Sequence, residues 1–146
     1  IGLINKGDHL FKNLSIQTYK NNPVFKIYGT NYNTKDGSCI RDFIHVSDIA
    51  EIHFKILEKI SKTDKSKIFN CGYSKGISVK SVIKEFKKYT NKNLKIIEAP
   101  RRKGDLVKII ASNDNLNRFI KWRPKFKSLK KMVQSSLRWE KSLINK

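Results

Sequence analysis

At Val46 the hydrophobic period of the chain changes, and that change constrains the fold more than any other feature. Ile49, Ala50, His53, Ile56, Leu57 and Ile60 fall at i, i+1, i+4, i+7, i+8 and i+11, the spacing of one helix face. Strand-like runs flank this segment: "VFKIY" over Val24 to Tyr28, and "KIFNCG" over Lys67 to Gly72, read as a buried strand. A helix set between two such runs requires layers of both kinds, so the expected class is α/β. Ser47 or Asp48 is the expected cap of the helix start.

The remainder of the chain fits the same class. Leu10 to Tyr19 reads as a short, weakly amphipathic helix that ends in an Asn21-Asn22-Pro23 turn. Thr30 to Ser38 must be a loop, with Asp36-Gly37 as its turn pair. Ser78 is placed to cap a helix carrying Val79, Val82, Ile83, Phe86 and Tyr89 on one side. Leu94 to Ile97 reads as a strand, and Asn115 to Ile120 as a short helix. Ser128 is the expected cap of a last helix bearing Leu129, Met132, Val133, Leu137 and Leu143, and Trp122 and Trp139 read as packing anchors.

A net charge of +20 over 146 residues first suggests a polyanion partner. The lysines that produce it are scattered singly and in pairs through every segment, which reads as a solvated face rather than a nucleic-acid surface. No apolar run approaches the ~20 residues of a membrane span. Cys39 and Cys71 fit neither a metal site nor a disulfide framework, so a reducing cytoplasm is expected. The first residues are Ile1-Gly2 rather than methionine, which points to a processed product or a fragment, and the motifs below favour a fragment.

Two compact motifs stand apart from the lysine background: Arg41-Asp42-Phe43, and Arg101-Arg102-Lys103-Gly104-Asp105. An arginine fork matches phosphate oxygens, and two forks from separate loops can clamp a diphosphate. An aspartate across a glycine from Arg102 is placed to accept from sugar hydroxyls. The plainer alternative is a surface ion pair between Arg41 and Asp42 beside an exposed basic turn. His45 has no nucleophile or orienting acid near it in sequence and reads as a joint packing the loop onto the helix. His53, on the apolar helix face, reads as a core residue. Tyr28, Tyr32 and Phe43 are candidates for base stacking or for packing. No glycine spacing matches a dinucleotide phosphate loop. None of the five tyrosines has a lysine four positions later.

"KIYGTNYNTKDGSCIRDFIHVSDIAEIH", "IFNCGYSKGISVKSVI", "EAPRRKGDL" and "SLKKMVQSSLRWEKSL" together resemble the C-terminal part of the UDP-glucose 4-epimerases. These enzymes belong to the NAD-dependent epimerase/dehydratase family of extended short-chain dehydrogenases. The resemblance covers essentially the whole chain. It implies the last Rossmann strand and helix plus a small UDP-sugar-binding domain. Residues 1–42 and 73–112 would belong mainly to the UDP-binding part, 43–72 to the Rossmann layer and 113–146 to C-terminal helices. NAD, the catalytic tyrosine and lysine and the glycine-rich loop would belong to a preceding part, so the chain alone would be inactive and would expose apolar surface. The implied reaction interconverts UDP-glucose and UDP-galactose through a 4-keto sugar, in a cytoplasmic homodimer with no nucleic-acid or membrane partner.

Carried over residue by residue, the resemblance makes Arg41 and Arg102 the diphosphate clamp and Asp105 the ribose ligand. The Lys26, Ile27 and Tyr28 strand meets uracil through its backbone, and Phe43 and Val79 line that pocket. His9 and Leu10 begin a helix that approaches the nucleotide, although Lys12 stands where the family has proline. Ile109 faces the sugar at a position that governs tolerance of N-acetyl groups. Two further readings stay open: another UDP-sugar epimerase or decarboxylase, and a free-standing basic nucleic-acid-binding domain.

Overall fold

The computed structural model describes residues 9–60, 66–90 and 92–144. In chain order these form α1 (Leu10–Tyr19), β1 (Val24–Tyr28), β2 (Ile40–Arg41), α2 (Val46–Lys59) and β3 (Ile77–Ser78). There follow α3 (Val79–Lys87), β4 (Lys95–Ala99), β5 (Lys108–Ile109), α4 (Asp114–Ile120) and α5 (Leu129–Ile144). The α/β class holds. β1 and β4 pair in parallel, with Val24 opposite Lys95 and Tyr28 opposite Ala99. A second sheet, ordered β3-β2-β5, joins β2 antiparallel to β3 and parallel to β5.

The core lies where α1, α3 and α5 meet over β1. Leu14, Ile27, Val82, Phe86 and Val133 are fully buried there. Each such side chain contributes roughly 1.5–3 kcal/mol relative to exposure. Phe11 bridges Phe43 and Phe86 by edge-to-face contacts with ring centroids 5.2 and 5.6 Å apart. α1 is tied to α5 by the Tyr19 hydroxyl donating to the Leu137 carbonyl at 2.9 Å, and by the Ser15 and Ser136 hydroxyls 2.7 Å apart.

α2 has the expected extent, but neither Ser47 nor Asp48 caps it. His45 does so, its Nδ1 accepting from the Ser47 amide at 3.1 Å. Because Nδ1 accepts, the ring proton resides on Nε2, which donates to Ser135 Oγ at 2.9 Å; the Ser135 hydroxyl donates onward to the Met132 carbonyl. The imidazole stacks on Phe126 with centroids 4.5 Å apart, and burial lowers its pKa, favouring the neutral ring that this network needs. The expected joint between loop and helix is therefore present.

Asp48 turns fully inward and accepts from the Tyr73 hydroxyl and from the Lys125 and Phe126 amides, the latter two at 3.0 Å. With Asp48 and Ile52 buried, the inward line of α2 is rotated from the one the apolar pattern gives. His53 is exposed, contrary to the core reading, and its Nδ1 bonds the Ile49 carbonyl at 2.8 Å. Phe54 and Leu57 are 63% and 72% exposed, so apolar surface does lie open along this helix. A carboxylate that satisfies three donors fixes the rotation more tightly than apolar residues such as Phe54 and Leu57 that stay largely exposed.

The strand expected over Lys67 to Gly72 does not form. The segment carries no ladder, and Ile68 is 93% exposed. A strand is defined by a hydrogen-bonded neighbour, and the described residues supply none there. Trp122 is buried as expected, whereas Trp139 is 56% exposed, contrary to the reading of it as a packing anchor.

Candidate functional site

A cleft of about 350 Å³ opens between α1, β1, the β2 region, the start of α3 and the 102–105 turn. Its volume falls within the ~300–1,000 Å³ of ligand pockets. Of the residues expected to bind, Leu10, Lys26, Ile27, Tyr28, Arg41, Phe43, Val79, Arg102 and Asp105 line it. His9 and Ile109 do not. His9 precedes α1, its carbonyl accepting from Asn13 at 3.0 Å, with its ring tilted against Phe11. Ile109 lies on β5 opposite Arg41, about half exposed, and uses its carbonyl to accept from the Asp42 amide at 3.1 Å.

Arg41 is held by carbonyls before any ligand enters. Its Nη1 donates to the Ile40 and Leu106 carbonyls, both at 2.8 Å, and its Nη2 reaches Asp105 Oδ1 at 3.3 Å. Its ion pair is thus with Asp105, 64 positions away, and not with its neighbour. Asp42 faces the other way and accepts from the Tyr73 and Ala111 amides at 3.0 and 3.3 Å. That leaves no room beside it for a side chain at position 72, where a Cβ would collide with Asp42 Oδ2. Asn113 pairs with both backbone polar groups of Gly72, closing the loop from the other side.

The second motif is a tight turn. The Asp105 amide donates to the Arg102 carbonyl at 3.2 Å, and Gly104 sits at φ +83°, the left-handed value that the third residue of a type II turn requires. Its open surroundings show that conformation, not space, demands glycine there. The turn sets Arg102 and Asp105 side by side on the cleft wall. The Arg102 guanidinium lies 4.2 Å from the Tyr28 ring centroid, a cation–π contact at the end of β1. Arg101 points elsewhere, donating to the side chain and carbonyl of Asn31 over the Tyr32 ring. Two adjacent arginines therefore have separate duties, the first pinning the loop after β1 and the second facing the cleft.

Asp36 fixes the approach of β2 to α3. It accepts from the Ser38 amide and hydroxyl at 3.0 and 2.7 Å and from the Ser78 hydroxyl. The Ser38 hydroxyl in turn takes the Lys80 amide, and the Cys39 carbonyl takes that of Val79. Burial alone would raise the Asp36 carboxyl, but the Ser78 and Ser38 hydrogen bonds outweigh it and hold the group below its usual value. This network sets Val79 opposite Cys39 on the cleft floor. Cys39 lies on that floor, and burial pushes its thiol up, away from the thiolate a nucleophile needs.

Asn13, Gln17, Val24, Phe25 and Cys39 also line the cleft, and reading the sequence alone missed them. Asn13 and Gln17 stand at i and i+4 on α1, a spacing that would have placed them on one face. Together the lining offers guanidinium, ammonium and amide donors, one carboxylate and an aromatic–aliphatic floor. The Arg41 and Arg102 guanidinium groups and the Lys26 ammonium suit this lining to holding an anionic ligand.

The family model for the NAD dependent epimerase/dehydratase family matches residues 5–72. A UDP-glucose 4-epimerase of Halalkalibacterium halodurans is 43% identical over 115 residues, which are 79% of this chain and 34% of that relative. The chain is thus similar to the NAD dependent epimerase/dehydratase family over residues 5–72 and, through such relatives, over most of its length. Among solved structures, the UDP-Glc/GlcNAc 4-epimerase of Campylobacter jejuni is 36% identical and superposes with a TM-score of 0.81, over 95% of this chain and 43% of that one. The UDP-glucose 4-epimerase of Bifidobacterium longum, solved with NAD+ and UDP, gives a TM-score of 0.84 at 28% identity, over 94% of this chain and 40% of that one. The fold is the C-terminal part of the extended short-chain dehydrogenase fold. The chain spans well under half the length of these relatives.

The family uses NAD, but the described residues do not fit its pyrophosphate. That group rests on a glycine-rich turn opening a helix, whereas here the helices follow His9, His45, Ser78, Asn113 and Ser128. No helix among the described residues is long and apolar enough to cross a membrane.

Proposed function

We propose that the chain supplies the UDP grip of a UDP-sugar 4-epimerase, the whole enzyme interconverting UDP-glucose and UDP-galactose. The observation that carries this reading is the meeting of Arg41, Asp105 and Arg102 at one end of a single cleft, from segments remote in sequence. The two guanidinium groups take the diphosphate, the Asp105 carboxylate accepts from the ribose hydroxyls, and Phe43 and Val79 floor the pocket under the base. The hexose projects beyond the arginines, toward catalytic groups and NAD held by another part of the enzyme. In this reading the chain binds and orients the substrate and carries out no bond-breaking of its own.

The charge of +20 favours a competing reading, a nucleic-acid surface, and salt separates the two. A protein making 6–10 phosphate contacts loses roughly 10³-fold or more in affinity between 50 and 200 mM salt. Titration of UDP into the protein is expected to show less than about a tenfold loss over that range, and selection of UDP over a random oligonucleotide. Tighter, steeply salt-dependent oligonucleotide binding with no saturable UDP binding would overturn the proposal.

A further inference from the structure

Trp139 and the excess of positive charge are two features that the UDP grip leaves unused. From Asn115 to Trp139 the chain has no aspartate or glutamate but eight lysines and arginines. In α2 and α3 lysines are answered by acids, Lys55 by Glu51 and Lys88 by Glu85. In the 115–139 stretch, among the described residues, only Lys125 enters an ion pair, also with Glu51. Lys121, Arg123, Lys125 and Lys127 are all exposed, while Trp122 among them is buried. Asp48 fixes the backbone of this segment by accepting from the Lys125 and Phe126 amides. The outer face of α5 continues the cations: Lys130, Lys131, Arg138 and Lys141 are exposed, whereas Met132, Val133, Leu137 and Glu140 are buried. Trp139 stands 56% exposed at the edge of that face, about 80° around the helix from Lys131 and about 100° from Arg138.

We propose that the outer face of α5, together with the 121–127 segment, is a docking surface for single-stranded nucleic acid. Trp139 stacks on an unpaired base, and the cations on either side follow the phosphates. Cations that track a backbone and an aromatic ring that takes a base are the two parts such binding needs, and neither requires a particular sequence. A membrane surface fits this face less well. Ile144, the other large exposed apolar residue of α5, lies about 140° around the helix from Trp139, so the two cannot enter one bilayer surface side by side. None of these residues lines the cleft, so the surface is independent of the UDP grip and of whatever the cleft holds.

Fluorescence titration of the protein with a single-stranded oligo(dA) of ~12 nucleotides, within the ~4–16 that single-strand sites span, tests this. Saturable quenching of the exposed indole is expected, with a dissociation constant of ~10⁻⁴–10⁻⁶ M near physiological salt. Oligo(dA) carries no uracil, and saturating UDP should leave its binding unchanged. Trp139→Ala, followed with an end-labelled oligonucleotide, should weaken binding about tenfold, an effect that a merely basic surface would not give. Arg138→Gln should reduce the slope of log affinity against log salt by ~0.7. Both positions are exposed, so both variants should keep the fold, which circular dichroism checks. No saturable binding at ~50 mM salt, or binding that Trp139→Ala leaves within about twofold, would overturn the proposal. Vesicles of equal parts phosphatidylglycerol and phosphatidylcholine test the membrane partner. A blue shift of indole emission on these vesicles, with no quenching by oligo(dA), would also overturn it.

Discussion

Replacing Arg41 with alanine is expected to weaken UDP binding by about 30- to 150-fold, the equivalent of roughly 2–3 kcal/mol. The guanidinium is pre-positioned by the Ile40 and Leu106 carbonyls and by Asp105, so little of its binding energy is spent on ordering a long side chain. Its loss also takes from Asp105 the guanidinium it pairs with, leaving more of that carboxylate's charge facing an anionic ligand. Arg41→Lys keeps the charge but not the planar fork, and should fall between the two. Lys103→Ala is the control. Lys103 occupies the same turn but does not line the cleft, and should leave affinity within about twofold. Equal losses for Arg41→Ala and Lys103→Ala in parallel titrations would show that general basicity, not a clamp, attracts the ligand.

The largest expected effect on stability lies away from the cleft. Asp48→Ala removes a fully buried carboxylate and strands three donors: the Tyr73 hydroxyl and the Lys125 and Phe126 amides. At about 1–3 kcal/mol for each buried donor left unpaired, and allowing for relaxation and water entry, the cost is about 3–5 kcal/mol. For a chain of this size that amounts to a fall of about 10 °C or more in the melting midpoint. Asp48→Asn keeps an oxygen for one of the amides and should cost roughly half as much. Thermal unfolding followed by circular dichroism checks both. UDP affinity at a temperature where the variants remain folded should be unchanged, because Asp48 does not line the cleft. A shift under about 3 °C for the alanine variant would mean that the buried network contributes little.

The elements most legible in the sequence are those whose signals are local. α1, β1 and α3 lie where the apolar spacing, the Pro23 turn and the Ser78 cap put them, and Ser78 does accept from the Ser81 amide. The two-residue strands β2, β3 and β5 were not legible. Alternation needs several residues to register, and their pairing depends on contacts between segments remote in sequence. The rotation of α2 was misread for a related reason. Its apolar positions describe a face, but a buried acid one turn before Ile52 decides which side turns inward. The motif "IRDF" was legible as a site, while its internal pairing was not: Arg41 answers to Asp105 and Asp42 to Gly72, Tyr73 and Ala111. Successive residues of extended backbone point to opposite sides, and Asp42 directly follows β2, so the adjacent Arg–Asp pair does not form.

The most direct test of the UDP grip is to follow backbone amide and arginine side-chain resonances by NMR while UDP is titrated into the protein. The expected result is a saturable set of changes centred on Arg41, Phe43, Val79, Arg102 and Asp105, with the lysines of α5 unaffected. Changes spread over the lysine-rich surface, or none at the five cleft residues at saturating UDP, would contradict it.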